Sequence, residues 1–310
     1  MNPTKTRYRT TNWSEYNRSL QNRGSLTVWM SPDILWLDGV RSGAQGRPKV
    51  YTDAAIQAIL TLKIVFKLAL RQARGLVSSL LKLLELDWPV PCFSTVSRRQ
   101  ATLTVKIPHR RQTGPLHLLV DSTGIKICGE GEWKVKKHGA EYHRSWRKVH
   151  LAIDAETLDV RAVEMTDHRQ GDAVQTEELL AQLGPDEPLG SFSGDGAYDT
   201  RGVYRAAHAR GAQVIVPPRR NGKPWNDKAP FVHARNETLA AARYLGWPLW
   251  KKWSGYHRRS LVETTMLRFK LLGERLAARA PERQAAEVHV RCAILNTFNR
   301  LGMPVTVAHA

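Results

Sequence analysis

One apolar run limits the folds open to this chain more than any other segment. Residues Leu116 to Asp121 read Leu-His-Leu-Leu-Val-Asp, nearly continuous in apolar side chains and ending on a carboxylate. Such a run is typical of a strand that is buried in a sheet. An acid at the end of a strand suits a catalytic role, although an Asp there is more often a turn residue or a helix cap.

The chain after Gly114 predicts a mixed sheet with helices packed against it. Three strands followed by alternating helices and strands are typical of an α/β fold of this kind. A second acid, Asp195, is expected where the fourth strand ends. The expected elements are strands at Leu116 to Asp121, 149–153, Val160 to Met165, Gly190 to Asp195 and 213–216, helices at Asp172 to about Gln182 and Thr200 to Arg210, and an exposed basic loop at Pro217 to Arg235.

The chain before Gly114 predicts a mostly helical region that begins with a basic arm. Before Met30, five Lys or Arg residues stand against one acid, Glu15. Three helices are expected after the arm: one from Ala54 to Leu70 capped by Thr52, one after Gly75 that ends near Leu86, and a short basic one capped by Ser94 that carries Arg98 and Arg99.

This helix order suits a helix-turn-helix reader of DNA, with Arg98 and Arg99 as DNA contacts. An all-helical packing or dimerisation domain is the alternative that the sequence leaves open. We predict two domains, a helical DNA-binding or dimerisation domain with its basic arm at residues 1–112 and an α/β domain at residues 113–310.

The charge balance indicates a polyanionic partner. Lys and Arg total 47 against 28 Asp and Glu, which gives a net charge of +19. Basic side chains that neutralise phosphates release condensed counterions, so this excess favours nucleic acid. A basic protein without such a partner, or a ribosomal-type RNA binder, would share the composition.

The distribution of cysteine and apolar residues argues against several other classes. The three cysteines, Cys92, Cys128 and Cys292, include no Cys-x-x-Cys pair, which argues against a disulfide framework or a structural zinc site. The longest apolar stretch, Ala54 to Leu70, contains two lysines and is too polar to span a bilayer. No apolar segment follows the N-terminus, so we expect no secretory signal and a cytoplasmic protein.

Four residues of one predicted helix share a narrow stripe. Tyr256, Arg259, Glu263 and Lys270 are separated by 3, 4 and 7 residues, which places their side chains within roughly 60° of one another on a helix. An ordinary ion pair between Arg259 and Glu263 on a solvated face is the alternative explanation.

The same stretch, Tyr256 to Lys270, resembles the Tyr-(2)-Arg-(3)-Glu-(6)-Lys signature of bacterial insertion-sequence DDE transposases. The chain is also similar to the insertion-sequence-five group of that family in several other segments. These segments are Asn12 to Leu20, Leu119 to Gly124, Gly131 to Gly139 with Trp146 to His150, and Gly194 to Asp199.

The resemblance implies an RNase H-like catalytic core in which Asp121, Asp195 and Glu263 converge and bind two Mg²⁺ ions, with Mn²⁺ as a substitute. It further implies cleavage and strand transfer at the terminal inverted repeats of an insertion sequence, by a homodimer assembled on DNA in the bacterial nucleoid. The alternatives are a non-catalytic nucleic-acid-binding protein derived from a transposase, and a cellular RNase H-like nuclease.

Further residues are predicted to contact DNA. Arg259 and Lys270 are expected to bind phosphates, Tyr256 a sugar or a phosphate, and Trp253 an unpaired base. Core packing is the alternative for at least two of the tryptophans before this helix, Trp247, Trp250 and Trp253. A segment in which basic and aromatic residues alternate, 133–147, suits a DNA backbone track, with a solvated hairpin as the alternative. Its expected DNA contacts are Lys134, Lys136, Lys137, Arg144 and Arg147.

Overall fold

The computed structural model describes residues 7–37, 50–127 and 146–309. The first part of the described chain is mostly helical, as predicted. Its elements are β1 (Arg7–Thr10), α1 (Trp13–Asn22), α2 (Leu26–Trp29), α3 (Asp53–Val65), α4 (Leu70–Leu83) and α5 (Phe93–Arg99), the last continued by a 3-10 turn at Gln100–Thr102.

The second part alternates strands and helices. Its elements are β2 (Leu116–Ile127), β3 (Trp146–Asp154), β4 (Val160–Asp167), α6 (Thr176–Ala181), β5 (Leu189–Ser193), α7 (Arg201–Ala209), β6 (Gln213–Ile215), α8 (Pro230–Leu245), α9 (Trp247–Trp253), α10 (Ser260–Leu271), β7 (Arg275–Leu276), α11 (Pro281–Leu301) and β8 (Thr306–His309), with 3-10 turns at Asp172–Gln175, Gly196–Tyr198 and Tyr256–Arg259.

The helices of the first part begin and end at other residues than the sequence predicts. The Thr52 hydroxyl does cap α3, accepting a hydrogen bond from the Ala55 N–H at 3.1 Å. The expected end at Leu70 is wrong, because Lys67 adopts a left-handed backbone conformation with φ of 53°. A new helix, α4, starts at Leu70, and Gly75 lies inside it rather than before it.

The third helix starts before its expected cap. Cys92, not Ser94, occupies the capping position, and Ser94 lies in the first turn of α5. The hydroxyls of Ser94 and Thr95 lie 3.1 and 3.0 Å from the Cys92 sulfur. Polar contacts at this helix start therefore converge on the cysteine.

Helix α11 packs against two apolar cores. Ala286, Val290 and Ile294 contact the core built by α3, α4 and α5. Val288 and Cys292, on the opposite face of the helix, contact the core beneath the sheet. A helix that is apolar on both faces is a buried helix, and this one joins the helical part of the chain to the sheet.

The main sheet is mixed, as predicted. Its strands lie in the order β4-β3-β2-β5-β6, and β7 pairs with the far end of β2. The first three strands of the chain's α/β part, β2 to β4, pair antiparallel as a meander, while β5 and β6 run parallel to β2. Helices cover both faces of this sheet, α6 and α7 on one and α10 and α11 on the other.

Strand β2 is longer than the sequence predicts. We expected it to end at Asp121, but it continues to Ile127. Two partners extend it: β3 pairs with it as far as Lys126 opposite Trp146, and β7 pairs with it at Lys126 and Ile127. Since both partners supply backbone hydrogen bonds beyond Asp121, the strand does not end at the acid.

Alternation along β2 determines which face each side chain occupies. Leu116, Leu118 and Val120 contact the core under α6 and α7, and Leu119 contacts the core under α10 and α11. Successive side chains of a strand point to opposite faces. Asp121 therefore lies on the same face as Leu119, the face that carries α10.

The segment from Pro217 to Arg235 is only partly a loop. Helix α8 begins at Pro230, and Arg235 is buried within it at 1% exposure. The predicted loop is therefore wrong for its last six residues, which begin a helix, and the predicted exposure is wrong for Arg235, which has a buried acidic partner in Asp199.

The two ends of the described chain pair with each other. Strand β1 runs antiparallel to β8, with Tyr8 opposite Ala308. The Asn12 amide strengthens this pairing, donating to the Met303 carbonyl at 3.0 Å and accepting from the Val305 N–H at 2.7 Å. The described part of the predicted basic arm, from Arg7 onwards, is thus anchored to β8. None of the helices in the described residues combines the length and apolar character needed to cross a lipid bilayer.

We predict that Asn296→Ala destabilises the fold. The buried Asn296 amide binds both backbone groups of Val160, at 2.7 and 2.9 Å, and the Pro108 carbonyl at 2.9 Å. Leaving buried backbone groups without partners is expected to lower the free energy of unfolding by roughly 2 to 4 kcal/mol in denaturant titrations. Thr297→Ala is the control, since its hydroxyl bonds only within the helix; equal losses in the two variants would contradict the prediction.

Candidate active site

The register of the sheet places two acids side by side. Strands β2 and β5 are parallel, and Leu119 pairs with Ser193 at the end of their shared ladder. Asp121 and Asp195 each follow two residues later. Neighbouring parallel strands advance in the same direction and register, so both acids lie just beyond the same end of the β2–β5 ladder.

A tight turn fixes Asp195. Strand β5 ends at Ser193, two residues earlier than predicted, and Asp195 caps the 3-10 turn Gly196–Tyr198 by accepting a hydrogen bond from the Ala197 N–H at 2.8 Å. Tyr198 packs so closely below this turn that an added Cβ at Gly194 would lie 2.7 Å from its ring. Only glycine fits at position 194, which explains one glycine of the Gly194 to Asp199 segment.

The signature residues do not lie on one continuous helix. Tyr256 to Arg259 form a 3-10 turn after Gly255, whose φ is 73°, and α10 begins only at Ser260. The predicted single helix is therefore two consecutive helical segments, although Arg259 and Glu263 still share a face, as their i,i+4 ion pair at 2.5 Å shows. Glu263 instead lies in the first turn of α10, where the helix dipole favours a negative charge.

Arg259 connects two of the three acids. Its guanidinium donates to Asp121 Oδ2 at 2.5 Å and to Glu263 Oε1 at 2.5 Å. Asp121 and Arg259 are mostly buried, at 15% and 16% side-chain exposure, whereas Glu263 is 57% exposed. A charge-assisted hydrogen bond in partly buried surroundings holds the turn and the strand together.

The electrostatics of Asp121 reflect this crowding. Burial raises the pKa of its carboxyl, the Arg259 guanidinium lowers it, and the negative charges of Asp195 and Glu263 raise it further. Like charges that lie close together without a screening cation raise the pKa of at least one carboxyl, so mutual repulsion among the three acids is expected. The direction of the shift agrees with that expectation, although burial is the larger cause.

The donor set fits hard divalent cations. In the described residues no three His, Cys, Asp or Glu side chains are grouped closely enough to hold a metal ion as they stand. The space between Asp121 and Glu263 nevertheless accommodates a positive group, the Arg259 guanidinium. Carboxylate oxygens are the ligands that Mg²⁺ and Mn²⁺ prefer.

An aromatic cluster supports the turn that carries Arg259. Trp247 and Trp250 stack with ring centroids 5.3 Å apart, and the Tyr256 ring lies 5.7 and 5.5 Å from them. Trp250 is buried, Trp247 is half exposed and Trp253 is 67% exposed. Of the three tryptophans, then, only Trp250 belongs to the core, and Trp253 is accessible to a ligand.

The other predicted DNA contacts differ in their surroundings. Arg98 is exposed, whereas Arg99 pairs with Asp53 at 2.5 Å and has a structural role at the start of α3. Arg147 lies at the start of β3, 3.4 Å from Asp167, and Lys270 is partly exposed on α10. Lys134, Lys136, Lys137 and Arg144 lie outside the described residues.

A polar cluster on the opposite face of the sheet was not predicted from the sequence. Asp172 receives a hydrogen bond from Lys148 at 2.8 Å, and burial of its carboxyl is outweighed by this bond and one from Ser122, so its pKa is lowered. His150 is fully buried, bonded to Thr166 at 2.8 Å and 3.6 Å from Asp172. Ser122 directly follows Asp121, so the cluster stabilises β2 on the face opposite to that of Asp121. Alternation around Val149 and Leu151 was the available signal, because it leaves His150 facing a core.

Comparison with known families agrees with this architecture. A family model described as a transposase DDE domain matches residues 112–297, which is more than half of the chain. A second model with the same description matches residues 21–130. The chain therefore belongs to the DDE transposase family, and its mixed sheet is an RNase H-like core. Membership implies DNA binding and the use of divalent metal ions.

We predict that His150 makes stability depend on pH. Burial lowers the His150 pKa from 6.5 to about 4. The unfolded chain therefore binds a proton that the folded chain excludes, and stability is lost as pH falls from about 6.5 through 4. Melting temperatures measured across this range are expected to fall less for His150→Gln than for the wild type. His208→Gln, at an exposed histidine, is expected to keep the wild-type profile; if it flattens equally, the assignment fails.

Proposed function

We propose that this chain is a transposase that binds the inverted-repeat ends of an insertion sequence and catalyses metal-dependent strand cleavage and strand transfer with Asp121, Asp195 and Glu263. One observation carries the proposal. Two acids each lie two residues beyond the end of the parallel β2–β5 ladder, and the third is linked to the first through a shared guanidinium.

The three carboxylates would hold two Mg²⁺ ions, with Mn²⁺ as a substitute. Asp121, Asp195 and Glu263 would each supply carboxylate oxygens to this metal site. When bound, the ions would supply the activation of an attacking water or 3′-hydroxyl and the stabilisation of the leaving oxygen of the phosphodiester. The buried setting of Asp121 favours this use, because metal binding offsets the cost of a desolvated carboxylate.

The surrounding residues would position DNA at the acids. Arg259 and Lys270 would hold phosphates near the cleaved bond, and Tyr256, kept in place by Trp247 and Trp250, would contact a sugar or phosphate. Trp253, exposed at the end of α9, would stack on a base. When DNA and metal bind, the Arg259 guanidinium is expected to move from the carboxylates to a phosphate.

Other parts of the proposal rest on the sequence. Membership of the insertion-sequence-five group rests on the motifs around Asn12, Asp121, Asp195 and Glu263. Several further roles are proposals of the same kind. Residues 1–112 would form a separate domain, and the protein would assemble as a homodimer on DNA and associate with the nucleoid. Arg98 and Arg99 would read bases, and the DNA backbone would be followed by Lys134, Lys136, Lys137, Arg144 and Arg147.

A DNA-cleavage assay with variants of the three acids tests the proposal directly. Asp121→Asn, Asp195→Asn and Glu263→Gln are each expected to abolish cutting of DNA fragments taken from either side of the gene, because each removes a proposed metal ligand. Products are sequenced after incubation with Mg²⁺, and EDTA is expected to stop the reaction. Asp186→Asn, at an exposed acid outside the site, is the matched control.

The possible results separate the classes of protein. Cleavage that persists in the Asp121→Asn variant would overturn the assignment of the acids. Binding without any metal-dependent cleavage in the wild type would indicate a non-catalytic DNA-binding protein. Cleavage without strand joining would indicate a nuclease of the RNase H-like class.

We also predict that Arg259 substitutes for a bound cation. In Arg259→Gln the repulsion between Asp121 and Glu263 loses its compensating charge, so the melting temperature in EDTA is expected to fall. Adding Mg²⁺ is expected to raise the melting temperature more in this variant than in the wild type, since the ion replaces the missing guanidinium charge.

The control for this measurement is Arg205→Gln. It removes one cation of an exposed pair with Glu177, 3.5 Å apart, and is expected to leave the Mg²⁺-induced rise in melting temperature at the wild-type value. An equal rise in Arg259→Gln and the wild type would show that Arg259 does not compete for the metal position.

A further inference from the structure

The segment between β6 and α8, residues 217–229, is here called the basic loop. It carries Arg219, Arg220, Lys223 and Lys228 against one acid, Asp227. The acid is already paired, with Arg201 at 3.0 Å. The basic loop therefore carries an excess of positive charge.

The basic loop begins beside Asp195. A Cβ added at Gly196, the residue after this acid, would lie 3.6 Å from the Pro217 carbonyl oxygen. The Asp199 carboxylate, at the end of the same turn, accepts a hydrogen bond from the Arg219 backbone N–H at 3.0 Å. The loop is thus anchored to the residue that ends the proposed catalytic turn.

A buried ion pair secures the middle of the basic loop. Arg235 of α8 donates to both oxygens of Asp199, at 3.1 and 3.0 Å, and both side chains are 2% exposed. Its remaining nitrogen donates to the Lys223 carbonyl at 2.7 Å, and its guanidinium lies 4.6 Å from the centre of the Trp225 ring. Breaking such a pair on one side is costly, because a buried charge is left alone.

Two more side chains of α8 bind the loop backbone. Asn236 accepts from the Trp225 N–H at 2.9 Å and donates to the Trp225 carbonyl at 3.0 Å. Arg243 donates to the Gly222 carbonyl at 2.8 Å. One helix therefore orders the loop through its main chain.

The basic side chains of the loop are left available by this arrangement. Arg219, Arg220, Lys223 and Lys228 are all exposed. Within the described chain none of the four makes a side-chain hydrogen bond or ion pair. A backbone held rigid with exposed cations is a preorganised surface for a polyanion, since little ordering remains to be done on binding.

We propose that the basic loop binds the phosphates of the DNA strand that lies on the Asp195 side of the site. This inference rests on the proposed function, because it assumes that DNA is cut at these acids. Arg219, Arg220 and Lys223 contact phosphates, and Asp199, Arg235 and Asn236 act as positioning residues through the loop backbone.

The test is the salt dependence of DNA binding. The triple variant Arg219→Gln/Arg220→Gln/Lys223→Gln is compared with the wild type on a duplex that spans one end of the element, over a series of KCl concentrations in EDTA. Each phosphate contact contributes about 0.9 to the slope of log K against log salt. The magnitude of this slope is expected to be smaller by about 2 to 3 in the triple variant than in the wild type, because three phosphate contacts are lost. The triple variant is also expected to bind more weakly at every KCl concentration.

A matched triple variant controls for net charge. Lys82→Gln/Arg205→Gln/Arg300→Gln removes the same charge from three exposed positions on α4, α7 and α11, and is expected to change the slope by less than half as much. If the two triple variants lose the same slope, the basic loop has no special role and the inference is overturned. If the wild type itself does not bind the duplex, the proposed function fails instead.

A second variant tests the positioning role without removing a charge. Asn236→Ala frees the backbone at Trp225 and is expected to weaken binding severalfold while the salt slope stays at the wild-type value. Thr238→Ala, whose hydroxyl donates to the Ala234 carbonyl of α8 and does not touch the loop backbone, is its control. Wild-type affinity in Asn236→Ala would show that the ordering of the loop does not matter.

Discussion

The parallel pairing of β2 with β5 is the constraint on which the site depends. The ladder bonds that pair Leu119 with Ser193 bring Asp121 and Asp195 to one edge of the sheet before any ligand binds. Placing two acids together in partly buried surroundings is unfavourable, and the raised pKa of Asp121 reflects this. The rest of the site offsets the electrostatic cost that the sheet register imposes by bringing the two acids together.

Arg259 supplies most of that compensation. Burial alone would lower the pKa of its guanidinium, but Asp121, Tyr256 and Glu263 outweigh burial and raise it. A side chain shared by two acids is held in a fixed position, which is the condition for electrostatic preorganisation. The same guanidinium cannot bind carboxylates and a phosphate fully at once. Metal, DNA and Arg259 are therefore coupled through a single charge in the proposed mechanism.

The sequence predicts this fold where the determinants are local. Alternation around Val149 and Leu151 predicts β3 correctly, and Thr52 correctly predicts the start of α3. The end of β2 could not be predicted, because it depends on where β3 and β7 pair with it. The end of α3 depends on the left-handed backbone conformation of Lys67, which cannot be predicted from the residue type.

The candidate site shows the same division. The spacing of the signature selects Glu263 and Arg259, but the bond from Arg259 to Asp121 joins residues 138 positions apart and has no local pattern. Arg235 was expected in an exposed loop because a charged residue is normally solvated. Its partner, Asp199, lies 36 positions earlier.

That pairing gives the Gly194 to Asp199 segment two functions. Its first residues pass close to the Tyr198 ring at Gly194 and carry Asp195, and its last residue anchors the basic loop through Arg235. A disturbance at Asp199 reaches the loop directly, whereas Asp195 is held by a separate bond to Ala197. The contacts that hold the acid and those that hold the loop are thus separable within six residues of chain. In the proposed mechanism, the alignment of DNA and the chemistry at the acids would therefore depend on different bonds of one turn.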